Sequence, residues 1–312
     1  MEKFKKTSPF HQPVLYHESL TYLQPKPAGK YIDGTLGAGG HAKGILQLSN
    51  PNGMLLGLDL DDQAIAMATS NLCSFRDRCI IRKASYSEMK NIAISLGWKS
   101  VDGVLLDLGL SSMQLDTSDR GFSFQQDAPL DMRFNTLQGK TAADLVNSLA
   151  EKDISSIIWE FSEEPKSRQI AKLIIENRPI YTTKELADLI LKAYRGRRGK
   201  THPATRTFQA LRIEVNHELE VLKEGLKSAL NILRSGGRIA VITFHSLEDR
   251  MVKHFFRRES TDCICSPEQL ICTCDHTASF KLITRKAIQP SQEELINNSR
   301  ARSAKLRVVE KI

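Results

Sequence analysis

Tyr31-Ile-Asp-Gly-Thr-Leu-Gly-Ala-Gly-Gly-His41, followed by Gly57-Leu-Asp-Leu-Asp61, is the stretch whose reading decides the fold of this chain. A short apolar strand ends in Asp33. A glycine-dense turn then opens a helix, and a second apolar strand from Gly53 ends in Asp59. Glycine lets the backbone approach a ligand closely, a helix N-terminus offers N–H groups, and an acid after the second strand can take both hydroxyls of a ribose. The pattern predicts the first half of a nucleotide-type site. A mere strand–helix turn does not need two acids in register.

Working outward, strands are expected at Lys30–Asp33, Gly53–Asp59, Cys79–Lys83 and Val101–Leu108. Helices are expected at His41–Leu48, Asp61–Cys73 and Ser85–Leu96. This alternation predicts a parallel sheet with crossovers on both faces. Val101-Asp-Gly-Val-Leu-Leu-Asp107 is nearly all apolar, as a strand covered on both faces should be. The rhythm then stops. Ser111 to Phe134 is a long polar segment that nonetheless carries Leu115, Phe122, Phe124 and Met132, which marks a functional loop rather than a linker.

From Thr141 to Ala193 only helical patterns appear: Thr141–Leu149, Asp153–Phe161, Pro165–Asn177 and Thr182–Ala193. A helix Glu218–Leu233 closed by Ser235-Gly-Gly237 precedes a fifth strand, Arg238–Phe244. A helix Ser246–Arg258 and a terminal pair, Phe280–Arg285 and Ser303–Val309, complete the chain. A parallel sheet closed by an antiparallel pair is the methyltransferase form of the doubly wound α/β fold. The expectation is a class I, Rossmann-like methyltransferase with an inserted all-helical subdomain. Residues 1–134 and 216–312 would form the methyltransferase domain, and 135–215 the helical substrate-recognition insertion.

Two ligands fit the glycine turn. Gly37-Ala-Gly39-Gly-His-Ala42 satisfies a dinucleotide fingerprint, so NAD is an alternative. Asp33, just before the loop, would repel a pyrophosphate and suits a ligand with a cationic amino-acid end, which favours S-adenosylmethionine. The chain offers no second glycine fingerprint.

Ligands of open α/β sheets bind beyond the carboxyl ends of the strands. The residues there are Asp33, Asp59, Tyr86 after the third strand, Asp107 after the fourth, and His245-Ser-Leu-Glu-Asp-Arg250 after the fifth. Asp107 occupies the place where methyltransferases acting on exocyclic amines carry a polar acceptor. Such an amine is a poor nucleophile because its lone pair is delocalised, and acceptors on its N–H groups turn that pair toward the methyl. Asp107 and His245 are therefore the catalytic candidates, although a capping box of Ser246 with Asp249 explains part of the cluster at His245.

The net charge of +8 points to a polyanionic partner. Basic residues cluster at Arg195-Gly-Arg-Arg-Gly-Lys200 and Arg257-Arg258, and recur from Arg300 to Arg307. Arg206, Gln209 and Arg212 recur at helical spacing and, with Arg195, form a candidate phosphate-binding face; a solvated helix is the plain alternative. Aromatic residues make up only 6%, which argues against base stacking as the main binding device. No apolar run is long enough to span a bilayer, and no apolar stretch follows the basic start, so a cytoplasmic protein without membrane contact is expected. Oligomeric state is not legible.

Several long motifs together resemble one family, the bacterial small-subunit ribosomal RNA cytosine-N4 methyltransferases. They are His11-Gln-Pro-Val-Leu15, the Tyr31–His41 stretch, Leu105-Leu-Asp-Leu-Gly109 with Ser111-Ser-Met-Gln114, Arg120-Gly-Phe-Ser-Phe124 and Leu130-Asp-Met-Arg133. His202-Pro-Ala-Thr-Arg-Thr-Phe-Gln209, Phe244-His-Ser-Leu-Glu-Asp-Arg250 and Arg300-Ala-Arg-Ser-Ala-Lys305 extend the likeness nearly end to end. The resemblance implies cofactor contacts at Gly39, Gly40, His41, Asp59, Tyr86, Asp107 and Gln114, and a target in the decoding centre of 16S rRNA. Tyr86 stands where the family usually has an aromatic, often Phe. Two other readings stay open: methylation of a different nucleic-acid amine such as adenine N6, and a non-catalytic ribosome assembly factor.

Cys73 and Cys79 read as core thiols. Cys263-Ile-Cys265 and Cys272-Thr-Cys274 put four thiols within a dozen residues, near His276. In a cytosolic chain that favours metal over disulfide, and a structural zinc ion is the candidate. The C-x-C spacing is less usual than C-x-x-C, and the resemblance does not require the cluster.

Overall fold

The computed structural model describes residues 13–110, 120–197, 202–266, 268–269 and 271–312. They form two compact units, one running to Gly109 and resuming over Leu222–Ile312, the other spanning Leu110–Val221.

The first unit is built on a seven-stranded sheet: β1 Lys30–Asp33, β2 Met54–Asp59, β3 Cys79–Lys83, β4 Val101–Asp107, β5 Leu233–Thr243, β6 Phe280–Leu282 and β7 Lys305–Lys311. Their order is β3-β2-β1-β4-β5-β7-β6, with β1 to β5 parallel and β7 antiparallel to both its neighbours. Alternate residues serve opposite cores. Ile32, Leu56, Val104, Leu106, Ile239 and Val241 join one apolar cluster; Tyr31, Leu55, Leu105, Ala240 and Ile242 join the other. In the centre of the sheet both faces of these strands are covered, which is why they read there as continuous apolar runs. Each fully buried Leu among them contributes about 2 kcal/mol.

Helices α1 Tyr16–Leu23, α2 Gly40–Leu48 and α3 Asp62–Asn71 cover the second cluster. Helix α4 Met89–Ser95 covers the first, joined later in the chain by Leu222, Leu226, Ala229 and Ile232 and by Val252 and Phe256. The order, sense and two-faced burial are those of the expected Rossmann-like methyltransferase sheet.

The second unit contains α5 Ala142–Ser148, α6 Glu151–Ser162, α7 Ser167–Glu176, α8 Thr183–Ala193 and α9 Ala204–Asn216, and the start of α10 Glu218–Ile232. Thr141 with Asp144 and Thr182 with Glu185 form capping boxes at α5 and α8, at the helix starts their sequences predict. The segment before α5 belongs to this unit's core. Phe122, Leu130 and Met132 are buried among the helices, and Phe124 lies against His202 and edge-on to Phe208, with ring centroids 4.7 and 5.0 Å away. Gly121, at φ 70°, permits this path: a Cβ there would lie 2.3 Å from the Pro129 carbonyl oxygen.

Four local readings are corrected. Helix α1 has no counterpart in the strand–helix rhythm. Its apolar positions Leu20 and Leu23 gain meaning only against the sheet. The segment Ser85–Leu96 divides into a 3₁₀ turn at Tyr86–Glu88 and α4. Strand β5 begins at Leu233 rather than Arg238: Ser235-Gly-Gly237 lies in a register shift, because Leu233 pairs with Val101 and Arg238 with Gly103. Cys73 is exposed on a 3₁₀ turn, and only Cys79 packs against apolar neighbours. Burial pushes the Cys79 thiol up to about 12.

Helix α11 Ser246–Arg258 and a short α12 Gln292–Asn297 complete the first unit. Among the described residues, no helix is long and apolar enough to cross a membrane.

Candidate active site

The carboxyl ends of β1, β2 and β4 bring Asp33, Asp59 and Asp107 to one side of the sheet, around the turn that runs from Gly34 into α2. Gly37 and Gly39 hold φ values of 51° and 82°, a region that L side chains rarely adopt. No side chain caps α2, whose N-cap is Gly39. Gly34 has no room for a side chain: a Cβ there would meet Leu106 at 2.5 Å and the Tyr86 Cβ at 2.8 Å. The Tyr86 ring also fills the space beside Gly225. These contacts hold Tyr86 against the strand ends.

Asp59 fastens the turn. Its Oδ2 accepts from the Gly37 N–H at 2.8 Å and its Oδ1 from the Asp61 N–H at 2.9 Å. Each carboxylate oxygen retains a second lone pair for a ligand. Burial raises the Asp59 carboxyl above its usual range, against those backbone donors.

Asp33 is sealed from solvent and is pushed up to about 7 by burial. His41 pulls it back, whereas Asp107 and Asp59 push it further. Its Oδ1 accepts from the Thr35 N–H at 3.2 Å; its Oδ2 is buried with no hydrogen-bond partner. Both ring nitrogens of His41 and the Oδ1 of Asp107 are in the same condition. Tyr16 stacks on the His41 ring at 5.9 Å, and His41 Nε2 lies 3.5 Å from Asp107 Oδ2. Thr35 Oγ1 accepts from the Asp107 N–H at 2.6 Å, tying the turn to β4. The contacts of Thr35 with Asp107, of Tyr16 with His41 and of His41 with Asp107 are not legible in the motifs, because each joins partners distant in sequence.

Buried polar atoms nearly always find partners, so four such atoms at one set of strand ends indicate a place for a polar ligand. The chemistry of the set fits S-adenosylmethionine: an acid for ribose hydroxyls, a buried acid for a cationic amino-acid end, and a glycine turn that lets the backbone come close. Gln114, expected in the same site, lies outside the described residues.

His245 follows β5 as the N-cap of α11. Its Nδ1 accepts from the Glu248 N–H at 3.4 Å, while Glu248 Oε2 accepts from the N–H groups of Phe244 and His245 at 2.8 and 3.2 Å. The expected box of Ser246 with Asp249 is thus displaced by one residue. Asp249 instead holds Arg307 at 2.7 Å and Lys305 at 3.1 Å; despite its burial, these cations keep its carboxyl below the usual range.

The four expected RNA contacts lie in the helical unit. Arg195 is exposed and, with Lys166, Arg197 and Tyr194, lines a cavity of about 410 Å³. Arg206 is exposed, with Nη1 3.9 Å from Glu164. Gln209 donates to the Phe161 carbonyl at 3.5 Å. Arg212 forms a bidentate pair with Glu218 at 2.6 and 2.8 Å. The helical spacing is real, yet packing turns its three residues to different uses.

The model of the MraW methylase family matches residues 8–312. A ribosomal RNA small subunit methyltransferase H of Geobacter sulfurreducens is 50% identical, with 97% of this chain and 99% of the relative covered. Proteins of the same name from Dehalococcoides mccartyi (50% identical; 97% and 86% covered) and Fusobacterium nucleatum (47%; 97% and 97%) are similar throughout. A likeness of this depth over nearly the whole length, on a fold with this strand order, establishes that the chain belongs to the MraW methylase family.

Proposed function

We propose that this chain transfers the methyl group of S-adenosylmethionine to the N4 amine of a cytosine in the decoding centre of 16S rRNA, in the cytoplasm. The observation that carries this reading is the group of buried, unpartnered polar atoms on Asp33, His41 and Asp107 at the strand ends. Relatives nearly half identical or better, named for small-subunit rRNA methylation, supply the substrate class.

Asp59 and the Gly37, Gly39, Gly40 and His41 turn would hold the nucleoside end of the cofactor, Asp33 its cationic end, with Tyr86 and Gln114 completing the set. When bound, the cofactor supplies a methyl activated by a sulfonium. The protein's part is alignment and charge. The Asp107 side chain is 24% exposed, unlike sealed Asp33, and is the acid a target base can reach. Its carboxylate accepts an amine hydrogen, turns the lone pair out of the ring and opposes the positive charge that grows on nitrogen. His41 Nε2 stands 3.5 Å from Oδ2 of that carboxylate without a hydrogen bond to it, close enough to join the same polar set. His245 enters as a positioning residue: its Nδ1 caps α11 through the Glu248 N–H, and its Nε2, 3.1 Å from Glu248 Oε1, makes no hydrogen bond. Arg195 and Arg206, with Lys166 and Arg197 beside Arg195, offer cations for phosphates.

The test uses small subunits from cells lacking their own enzyme of this family, incubated with this protein and labelled cofactor, then digested to nucleosides for mass spectrometry. N4-methylcytidine is expected. N6-methyladenosine would shift the target amine, and binding without transfer would make the protein an assembly factor.

A further inference from the structure

We propose that Cys263, Cys265, Cys272 and Cys274 bind one structural zinc ion, which fastens the connection between α11 and β6. The Sγ atoms of Cys263 and Cys272 lie 3.5 Å apart, those of Cys272 and Cys274 3.5 Å, and those of Cys263 and Cys274 3.8 Å. Ligand atoms of all four residues fall within 4.8 Å of one another. A zinc–thiolate bond of about 2.3 Å puts the edge of a tetrahedron of sulfurs at about 3.8 Å. A disulfide needs sulfurs about 2.05 Å apart, and all four thiols are free.

Burial does not explain the cluster. Cys263 and Cys272 are exposed and the other two half-buried, so no apolar core draws these side chains together. The backbone is arranged for sulfur instead. The Ile264 N–H, between the cysteines of the first pair, donates to Cys274 Sγ of the second at 3.4 Å. Such donors stabilise thiolate charge in the shell around a metal.

The ends of the connection are already clamped. Ser279 and Phe280 donate to the Glu259 carbonyl at 2.8 Å each, and Ala278 donates to Asp262 Oδ1 at 3.1 Å. His276 Nε2 lies 3.0 Å from the Arg258 carbonyl, which places it with the clamp rather than with the ligands. Four soft sulfurs with no oxygen ligand exclude a calcium or magnesium site, and a closed four-sulfur set leaves no open position for catalysis.

Metal analysis of the full-length protein, purified anaerobically without added metal, tests the site. About one zinc per chain is expected, falling at least tenfold in the Cys263→Ser/Cys272→Ser double variant and staying unchanged in Cys73→Ser. Replacing zinc with cobalt in the wild-type chain should give the strong visible absorption of tetrahedral thiolate coordination, a readout that does not depend on a variant folding. Of the six cysteines, at most two should react with a thiol reagent before chelation, and four more after it. Wild-type protein with less than a tenth of an equivalent of metal, with iron in place of zinc, or with disulfides in this segment would overturn the proposal.

Discussion

The sheet unit and the helical unit treat buried charge in opposite ways. In the helical unit, charge is matched from within. Arg212 holds Glu218, Arg133 holds Asp131 at 2.7 and 2.8 Å, and Glu164 Oε1 accepts from the Tyr194 hydroxyl and from the Lys166 N–H; its Oε2, 3.9 Å from Arg206, is the exception, buried without a hydrogen bond. At the strand ends of the sheet unit, Asp33, His41 and Asp107 keep buried atoms without partners. Matched charges hold architecture, and breaking one costs stability. Unmatched ones cost stability while they exist and repay it only when a ligand arrives. The two regions should therefore respond to mutation with opposite signs.

The largest effect is expected at Asp33. The unfolded carboxyl titrates near 3.8 and the folded one near 7, so between these values the folded protein keeps a proton that the unfolded chain has lost. Stability without cofactor should fall as pH rises through this window, by roughly 4 kcal/mol in all, and level off above it. Asp33→Asn should remove that slope and be more stable than wild type at pH 8. Urea melts of both proteins at pH 5 and pH 8 measure it, and parallel slopes would remove Asp33 from the unmatched class.

Arg212→Ala should do the reverse. It leaves Glu218 buried without its cation, at a cost of about 3 kcal/mol. A shift in the denaturation midpoint with cofactor affinity intact is the expected result. An unchanged midpoint would mean that the pair of Arg212 with Glu218 carries no stability and would take it out of the matched class.

Asp59→Ala should weaken cofactor binding by on the order of 3 kcal/mol, since charge-assisted bonds to the ribose and the anchor of the Gly37 turn are lost together. Calorimetry with S-adenosylmethionine measures the change, and an unaltered dissociation constant would remove the cofactor from this turn.

Asp107→Asn separates chemistry from binding. It keeps shape and one acceptor but loses the charge, so single-turnover rate should drop roughly 10²-fold with both ligands bound nearly normally. Full rescue at saturating cofactor would make Asp107 a binding residue.

The smallest effect is expected on the helical surface. Arg195→Ala and Arg206→Ala should each make the salt dependence of rRNA binding shallower by about one unit, with cofactor affinity unchanged. Unaltered slopes would assign both arginines to a solvated face.

What the sequence determined by itself is what depends on neighbours within a few residues. The apolar runs of β1, β2 and β4, the acids that end them, the glycines of the α2 turn and the threonine caps of α5 and α8 are all local signals, and they sufficed for the strand–helix order and for placing three acids at the strand ends. Tertiary structure decided which partner each polar group found. It paired Arg212 with Glu218 although helical spacing offered it to solvent, and capped α11 with His245 and Glu248 although Ser246 and Asp249 fit the same pattern. It placed Phe122 and Met132 in the helical core although their segment reads as a loop, and stacked Tyr16 on His41 across 25 positions of chain. The physical reason is one of range. Backbone conformation is set by adjacent residues, whereas the cost of an unpaired charge or an exposed ring is settled by whatever the fold brings alongside it.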